Sequence, residues 1–278
     1  MKGNLTAILI PGLSLAVVAG GCISDASGEG EAEAETAENL PTVEVQQELG
    51  IWTYSWGCAG SCTLDLGTAT NRTCFLAGVR GNLTGKTSQP LVPSSVRLSV
   101  GANWWLDVRS ALGNPLAGDA ICVDTAVNRT SKFTWSSGAA ATPMGTGTAA
   151  RRCFLTDVYN LDGFKLNTDF ARVWKDSFTG IWYVGGNQSG TYGASVTATC
   201  VDVSADHGSW LWISGDPGSR LDNLAYNPGG VACAMTGLGG HFTANDYNDG
   251  VQIKYNIGTL FWQQQTVNGK SAWSNCIR

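Results

Sequence analysis

Residues 51–278 contain no glutamate at all; every Glu of the chain lies between Glu29 and Glu48. Histidine is nearly as scarce, with only His207 and His241, and the whole chain is just 14% charged. A glycosidase built on a Glu acid and a Glu base is therefore excluded, and only an Asp pair stays open for that chemistry. No Gly-x-Ser-x-Gly elbow, no His-Glu-x-x-His helix and no Gly-rich phosphate loop ending in Lys-Ser/Thr is present. Convincing helical periodicity never exceeds two turns. The apolar run from Leu5 to Val18 is shorter than the ~20 residues a membrane-spanning helix needs.

What the chain has instead is repetition. Cys153-Phe154-Leu155-Thr156-Asp157-Val158 has two counterparts, Cys74-Phe75-Leu76-Ala77-Gly78-Val79 and Cys233-Ala234-Met235-Thr236-Gly237-Leu238. Each is followed by a Gly-rich turn region, a strand centred on a valine (Val96, Val173, Val251) and an aromatic pair (Trp104-Trp105, Trp182-Tyr183, Phe261-Trp262). A second cysteine before a β-branched residue closes each unit: Cys122-Val123, Cys200-Val201, Cys276-Ile277. Aromatic strands precede each first cysteine, at Trp52–Trp56, Phe133–Trp135 and Trp210–Trp212. The units run over about residues 51–125, 131–203 and 208–278.

Alternating runs such as Val96-Arg97-Leu98-Ser99-Val100 have the period of half-buried strands. The expected fold is all-β: three pseudo-repeats of four or five short antiparallel strands in a trefoil- or prism-like pseudo-threefold arrangement. Three small sheets in tandem are the alternative. The natural disulfides lie within units, Cys74–Cys122, Cys153–Cys200 and Cys233–Cys276, with Cys58–Cys62 closing a local ring in the first. A metal at Cys58 and Cys62 is the competing reading, weakened by the absence of a nearby histidine.

The N-terminus has a different grammar. Lys2 precedes the apolar run, and Ala19-Gly20-Gly21 leads into Cys22. Residues 1–21 with Cys22 resemble the signal peptide and lipobox of bacterial lipoprotein precursors, with Ala19 where Leu is commoner. The resemblance implies that Cys22 is acylated and becomes the mature N-terminus. It also implies a lipid anchor in the cell envelope, the outer membrane favoured by Ile23 in place of an acidic residue. A freely secreted protein is the alternative. Nine cysteines minus Cys22 leave eight, an even number suited to disulfides in an oxidising compartment. Residues 22–50 carry eight acids and no Lys or Arg, so they are expected to form an extended, solvated tether. Residues 51–278 then hold 16 basic and 14 acidic side chains, a difference of +2, which gives no footing for nucleic acid.

Candidate sites are few. Neighbouring strand residues face opposite ways, which sorts each aromatic pair into an inward and an outward ring. Trp104, Trp182 and Phe261 are expected to pack inward. Trp105, Tyr183 and Trp262 are expected to point outward as three equivalent sugar-stacking platforms, against the competing reading of a second packed layer. Asp206-His207-Gly208-Ser209 gathers triad-type residues but is expected to be a turn between units. Asn245–Gly250 is oxygen-rich but lacks a calcium-loop spacing, and a polar loop is expected. No cofactor and no catalytic residue is assigned. The expected function is a non-enzymatic binding or adhesion module with a carbohydrate ligand. A structural protein contacting other envelope proteins is the alternative, and an Asp-dependent hydrolase the weakest reading.

Overall fold

A computed structural model describes residues 45–47, 50–124, 129–203, 206–212, 220–226 and 230–277. Cys22 and the signal-like segment lie outside the described residues. The fold is all-β. A short strand β1 (Val45–Gln47) comes first, and three sets of six strands follow. The first set is β2 (Ile51–Cys58), β3 (Ser61–Thr68), β4 (Thr73–Gly81), β5 (Ser94–Val100), β6 (Asn103–Arg109) and β7 (Leu116–Val123). The second is β8 (Phe133–Ser136), β9 (Thr142–Thr146), β10 (Arg151–Asn160), β11 (Phe170–Lys175), β12 (Ile181–Asn187) and β13 (Ala194–Asp202). The third is β14 (Asp206–Trp212), β15 (Arg220–Tyr226), β16 (Ala232–Gly239), β17 (Gly250–Asn256), β18 (Phe261–Thr266) and β19 (Ser271–Ile277).

These strands form three antiparallel sheets in the orders β1-β2-β7-β4-β17-β18-β15, β3-β6-β5-β10-β13-β8 and β14-β19-β16-β11-β12-β9. Each sheet joins the first, sixth and third strands of one unit to the fourth, fifth and second of another. The first unit completes its core sheet with strands of the third, the second with strands of the first, and the third with strands of the second. The tandem alternative does not describe this chain, because every sheet contains two units.

The three cysteine-led strands explain the repeat. β4, β10 and β16 are almost wholly buried at the centre of their sheets. The rings of Phe75 and Phe154, each one residue after its cysteine, meet with centroids 4.5 Å apart. Ala234 takes the same place in the third unit. Each strand then skips one register position, at Ala77, Thr156 and Thr236. Such a bulge bends the strand and sharpens its twist. The first and second cysteines of each unit lie opposite one another on paired strands, and all three intra-unit disulfides are formed. Each closes a loop of nearly fifty residues, which stabilises by about 3–4 kcal/mol in the chain-entropy account. Cys58 and Cys62 are also disulfide-bonded, which rules out the two-thiol metal site.

Three expectations change. Each unit has six strands among the described residues rather than four or five. Part of the tether segment pairs: Val45–Gln47 adds to β2, whose outer edge would otherwise present unpaired N–H and C=O groups. Asp206-His207-Gly208-Ser209 is not a turn but the start of β14, its backbone paired with β19 around an irregularity between Asp206 and Gly208. Pairing with a neighbouring strand overrides the turn propensity of those residues.

Candidate binding face on the third sheet

The register identifies equivalent positions without ambiguity, and it corrects the aromatic alignment. Trp104, Trp182 and Trp262 are the equivalent inward rings, opposite Val100, Lys175 and Tyr255 respectively. All three are buried, and Trp262 is 0% exposed. The indole N–H of Trp104 donates to the Arg72 carbonyl at 2.9 Å and that of Trp262 to the Val231 carbonyl at 2.6 Å, each acceptor two residues before the unit's first cysteine. Trp262 is therefore a core residue and not an outward platform. Its outward neighbour is Gln263, which is itself buried and donates to Asn223. Trp105 does face outward, 37% exposed, and Tyr183 is half-buried on the outer face. The three expected platforms do not exist as a set. The run Gln263-Gln264-Gln265 hid the alternation, because Gln264 occupies the inward position of Leu106 and Val184. The valine alignment shifts likewise: Ala171, not Val173, is level with Val96 and Val251.

One transverse row, passing through the residue after each bulge, crosses all three sheets at equivalent positions. On the first sheet it runs Ser55, Asp119, Gly78, Gln252, Gln265. On the second it runs Thr134, Thr197, Asp157, Arg97, Asp107. On the third it runs Leu211, Trp273, Gly237, Arg172, Gly185.

The first two rows are electrostatically closed. Asp119 accepts from Arg80 Nε at 2.8 Å and Nη2 at 2.9 Å and from Gln252 Nε2 at 3.1 Å, while Arg80 also donates to Ser55 Oγ. Asp107 accepts from Arg97 at 3.1 Å and from Thr63 and Ser99 at 2.8 Å each. Asp157 accepts from the Leu98 N–H at 3.1 Å and from Lys132 Nζ at both oxygens. Burial pushes the Asp157 carboxyl above the usual carboxylate range, with Lys132 pulling the other way. Shallow clefts lie on both faces, about 260 Å³ beside Arg97, Arg109 and Tyr159 and about 190 Å³ beside Arg80 and Lys254. Both are smaller than the ~300–1,000 Å³ of ordinary ligand pockets.

The third row is built differently. In β11 the inward residues are Ala171 and Val173, so Phe170, Arg172 and Trp174 stand on the outer face. In β12 Trp182 and Val184 go inward, leaving Tyr183 and Gly185 outside. The Arg172 guanidinium lies 5.6 Å from the Phe170 ring centroid, 5.4 Å from Trp174 and 5.8 Å from Trp273. These distances are within cation–π range. Trp174 and Tyr183 are stacked at 5.8 Å with planes 21° apart, and Pro143 of β9 is paired beside Tyr183. Two glycines make room. A Cβ on Gly237 would sit 2.6 Å from that of Arg172, and one on Gly185 would sit 2.9 Å from the Trp174 ring.

The Nε of Arg172 and the indole nitrogen of Trp273 are buried donors with no hydrogen-bond acceptor among the described residues. Among the described residues Arg172 has no ion-pair partner. Sequence reasoning found only Tyr183 of this face. Phe170, Arg172 and Trp174 carry the period-two signal of an outward row, but Trp273 joins them only through pairing between two units.

Other flagged residues are structural or peripheral. His241 Nδ1 is 2.8 Å from Asn167 Oδ1 near the surface. In the Asn245–Gly250 loop, Asp246 accepts from the Asn248 N–H, and Asp249 is paired with the buried Lys270 ammonium. No group of three His, Cys, Asp or Glu side chains suited to a metal occurs among the described residues. Comparisons with protein-family models, curated proteins and solved structures return no match.

Proposed function

We propose that this protein is a non-enzymatic carbohydrate-binding module of a cell envelope, anchored through an acylated Cys22, and that it engages glycan on the outer face of the third sheet. The observation that carries the reading is the row Trp174, Tyr183 and Pro143, continued by Phe170 and Trp273 around Arg172. Adjacent strands lie about 4.8 Å apart, so three strands present an apolar strip about 10 Å across. That is wide enough for roughly two pyranose rings to lie flat with their C–H faces against the aromatic faces. The closed acids of the other two sheets support a non-enzymatic role, since Asp107 and Asp157 flank Arg97 with their oxygens already engaged.

A glycan array and a polysaccharide pull-down with the full chain and with Trp174→Ala test the reading. Retention of at least one glycan by the parent protein and its loss in the variant is expected. Blank arrays, with a reproducible protein crosslink in intact cells, would replace the reading with that of a structural envelope protein. The anchor is tested separately by the intact mass of membrane-extracted protein: a mature N-terminus at Cys22 bearing acyl chains is expected, and an unmodified N-terminus elsewhere overturns it.

A further inference from the structure

We infer that the ligand of this face brings a carboxylate of its own, seated on Arg172, so that the glycan is an acidic one of the uronic-acid class. The inference rests on the carbohydrate reading above and narrows it. The molecule supplies its own controls. Arg97 is the direct equivalent of Arg172, and its neighbour on the next strand is Asp107, with which it pairs at 3.1 Å. Gln252, the third equivalent, donates to Asp119. On the third sheet the three acid-bearing positions hold Gly185 and Gly237, where the second sheet has Asp107 and Asp157, and Trp273, where the first has Asp119. The cation stays and the acid is gone.

A guanidinium partly desolvated among rings needs a counter-charge more than one in water does. Its Nε–H is buried without an acceptor among the described residues, so a ligand would meet the outer amino groups of the guanidinium. The two flanking glycines place no side chain between Arg172 and either neighbouring strand. A planar carboxylate matches the fork of a guanidinium, and a sugar ring bearing it would rest on Trp174 and Tyr183.

Isothermal titration of the full chain with malto-oligosaccharide, oligogalacturonate, carboxyl-reduced oligogalacturonate and dextran sulfate tests the inference. Oligogalacturonate is expected to bind at least about tenfold more tightly than its carboxyl-reduced form. Arg172→Gln is expected to erase that difference, while Trp174→Ala weakens the binding of acidic and neutral sugar alike. The carboxyl-reduced ligand makes the comparison on the parent protein, so it holds even where the arginine variant does not fold. Equal affinity for the acidic and reduced forms would overturn the acidic-ligand inference and leave the carbohydrate reading standing. Dextran sulfate binding as tightly as oligogalacturonate would overturn the carboxylate in favour of any polyanion. No binding of any sugar would remove both.

Discussion

The second and third sheets are built from six equivalent strands in the equivalent order, yet their outer faces hold opposite chemistry. On the second, an arginine is answered by an acid one strand away, and a buried acid by a lysine and a backbone N–H. On the third, the equivalent arginine is answered, among the described residues, by aromatic rings. The inward positions differ less: each unit keeps the bulge, the cross-strand disulfide and the buried tryptophan, with Ala234 and Gln264 of the third unit as departures. Folding constrains the inward side chains three times over, once per unit, because they meet one another at the centre. The outward row meets solvent and is free to differ between units. A repeat therefore marks the core, and departures from the repeat mark where to look for function.

That division can be broken deliberately. Phe154→Ala removes a ring packed against Phe75 at the centre and is expected to cost about 3–5 kcal/mol in urea unfolding. A loss under 1 kcal/mol would mean that the units do not depend on one another. Asp119→Ala strips the acid from the closed first row and leaves the largely buried Arg80 unanswered, with an expected loss of about 3 kcal/mol. Trp174→Ala, half-buried on the open row, is expected to change stability by no more than about 1 kcal/mol and to act on glycan binding instead. Asp107→Asn breaks an ion pair whose arginine is 46% exposed, so its effect on stability should be at most about 1 kcal/mol, read by thermal melts at two salt concentrations.

Two acids five residues apart sharpen the contrast through pH. Burial raises the Asp157 carboxyl despite Lys132. Burial also acts upward on Asp162, but the backbone N–H groups of Tyr192, Thr191 and Gly193 outweigh it and hold that carboxyl below its ordinary value. The stabilisation from Asp162 is present above its unfolded pKa of about 3.9 and is lost as pH falls through the lower folded value. Asp157 works in the other direction, favouring the fold when protonated and less so as pH rises past the unfolded value. Asp162→Asn is therefore expected to cost more at pH 7 than at pH 3. Asp157→Asn, which mimics the protonated acid, should be the milder change at pH 7. Urea unfolding at the two pH values checks both, and a reversed ranking would contradict the assignment.

Much of this architecture was legible in the chain. Cysteine spacing gave the three disulfides, and Cys-Phe-Leu with its two variants located the central strands. The aromatic stretches at Trp52, Trp135 and Trp210 located the first strand of each unit. The interleaving was not legible, because pairing of β4 with β17, β10 with β5 and β16 with β11 is a long-range choice between similar edges. The proposed binding face depends on that choice. Trp273 and Arg172 lie 101 positions apart in different units, and no local pattern joins them. Local alternation did place Tyr183 outward. It failed at Trp262, where a glutamine inside the core broke the apolar pattern that marks an inward face.

The most direct test of the central claim follows the indole N–H signals of the tryptophans by solution NMR during titration with oligogalacturonate. The account predicts shifts for Trp174 and Trp273 and none for the core rings Trp104, Trp182 and Trp262. Shifts confined to Trp105 or Trp52, on the other sheets, or equal shifts in core and outer rings, would contradict it.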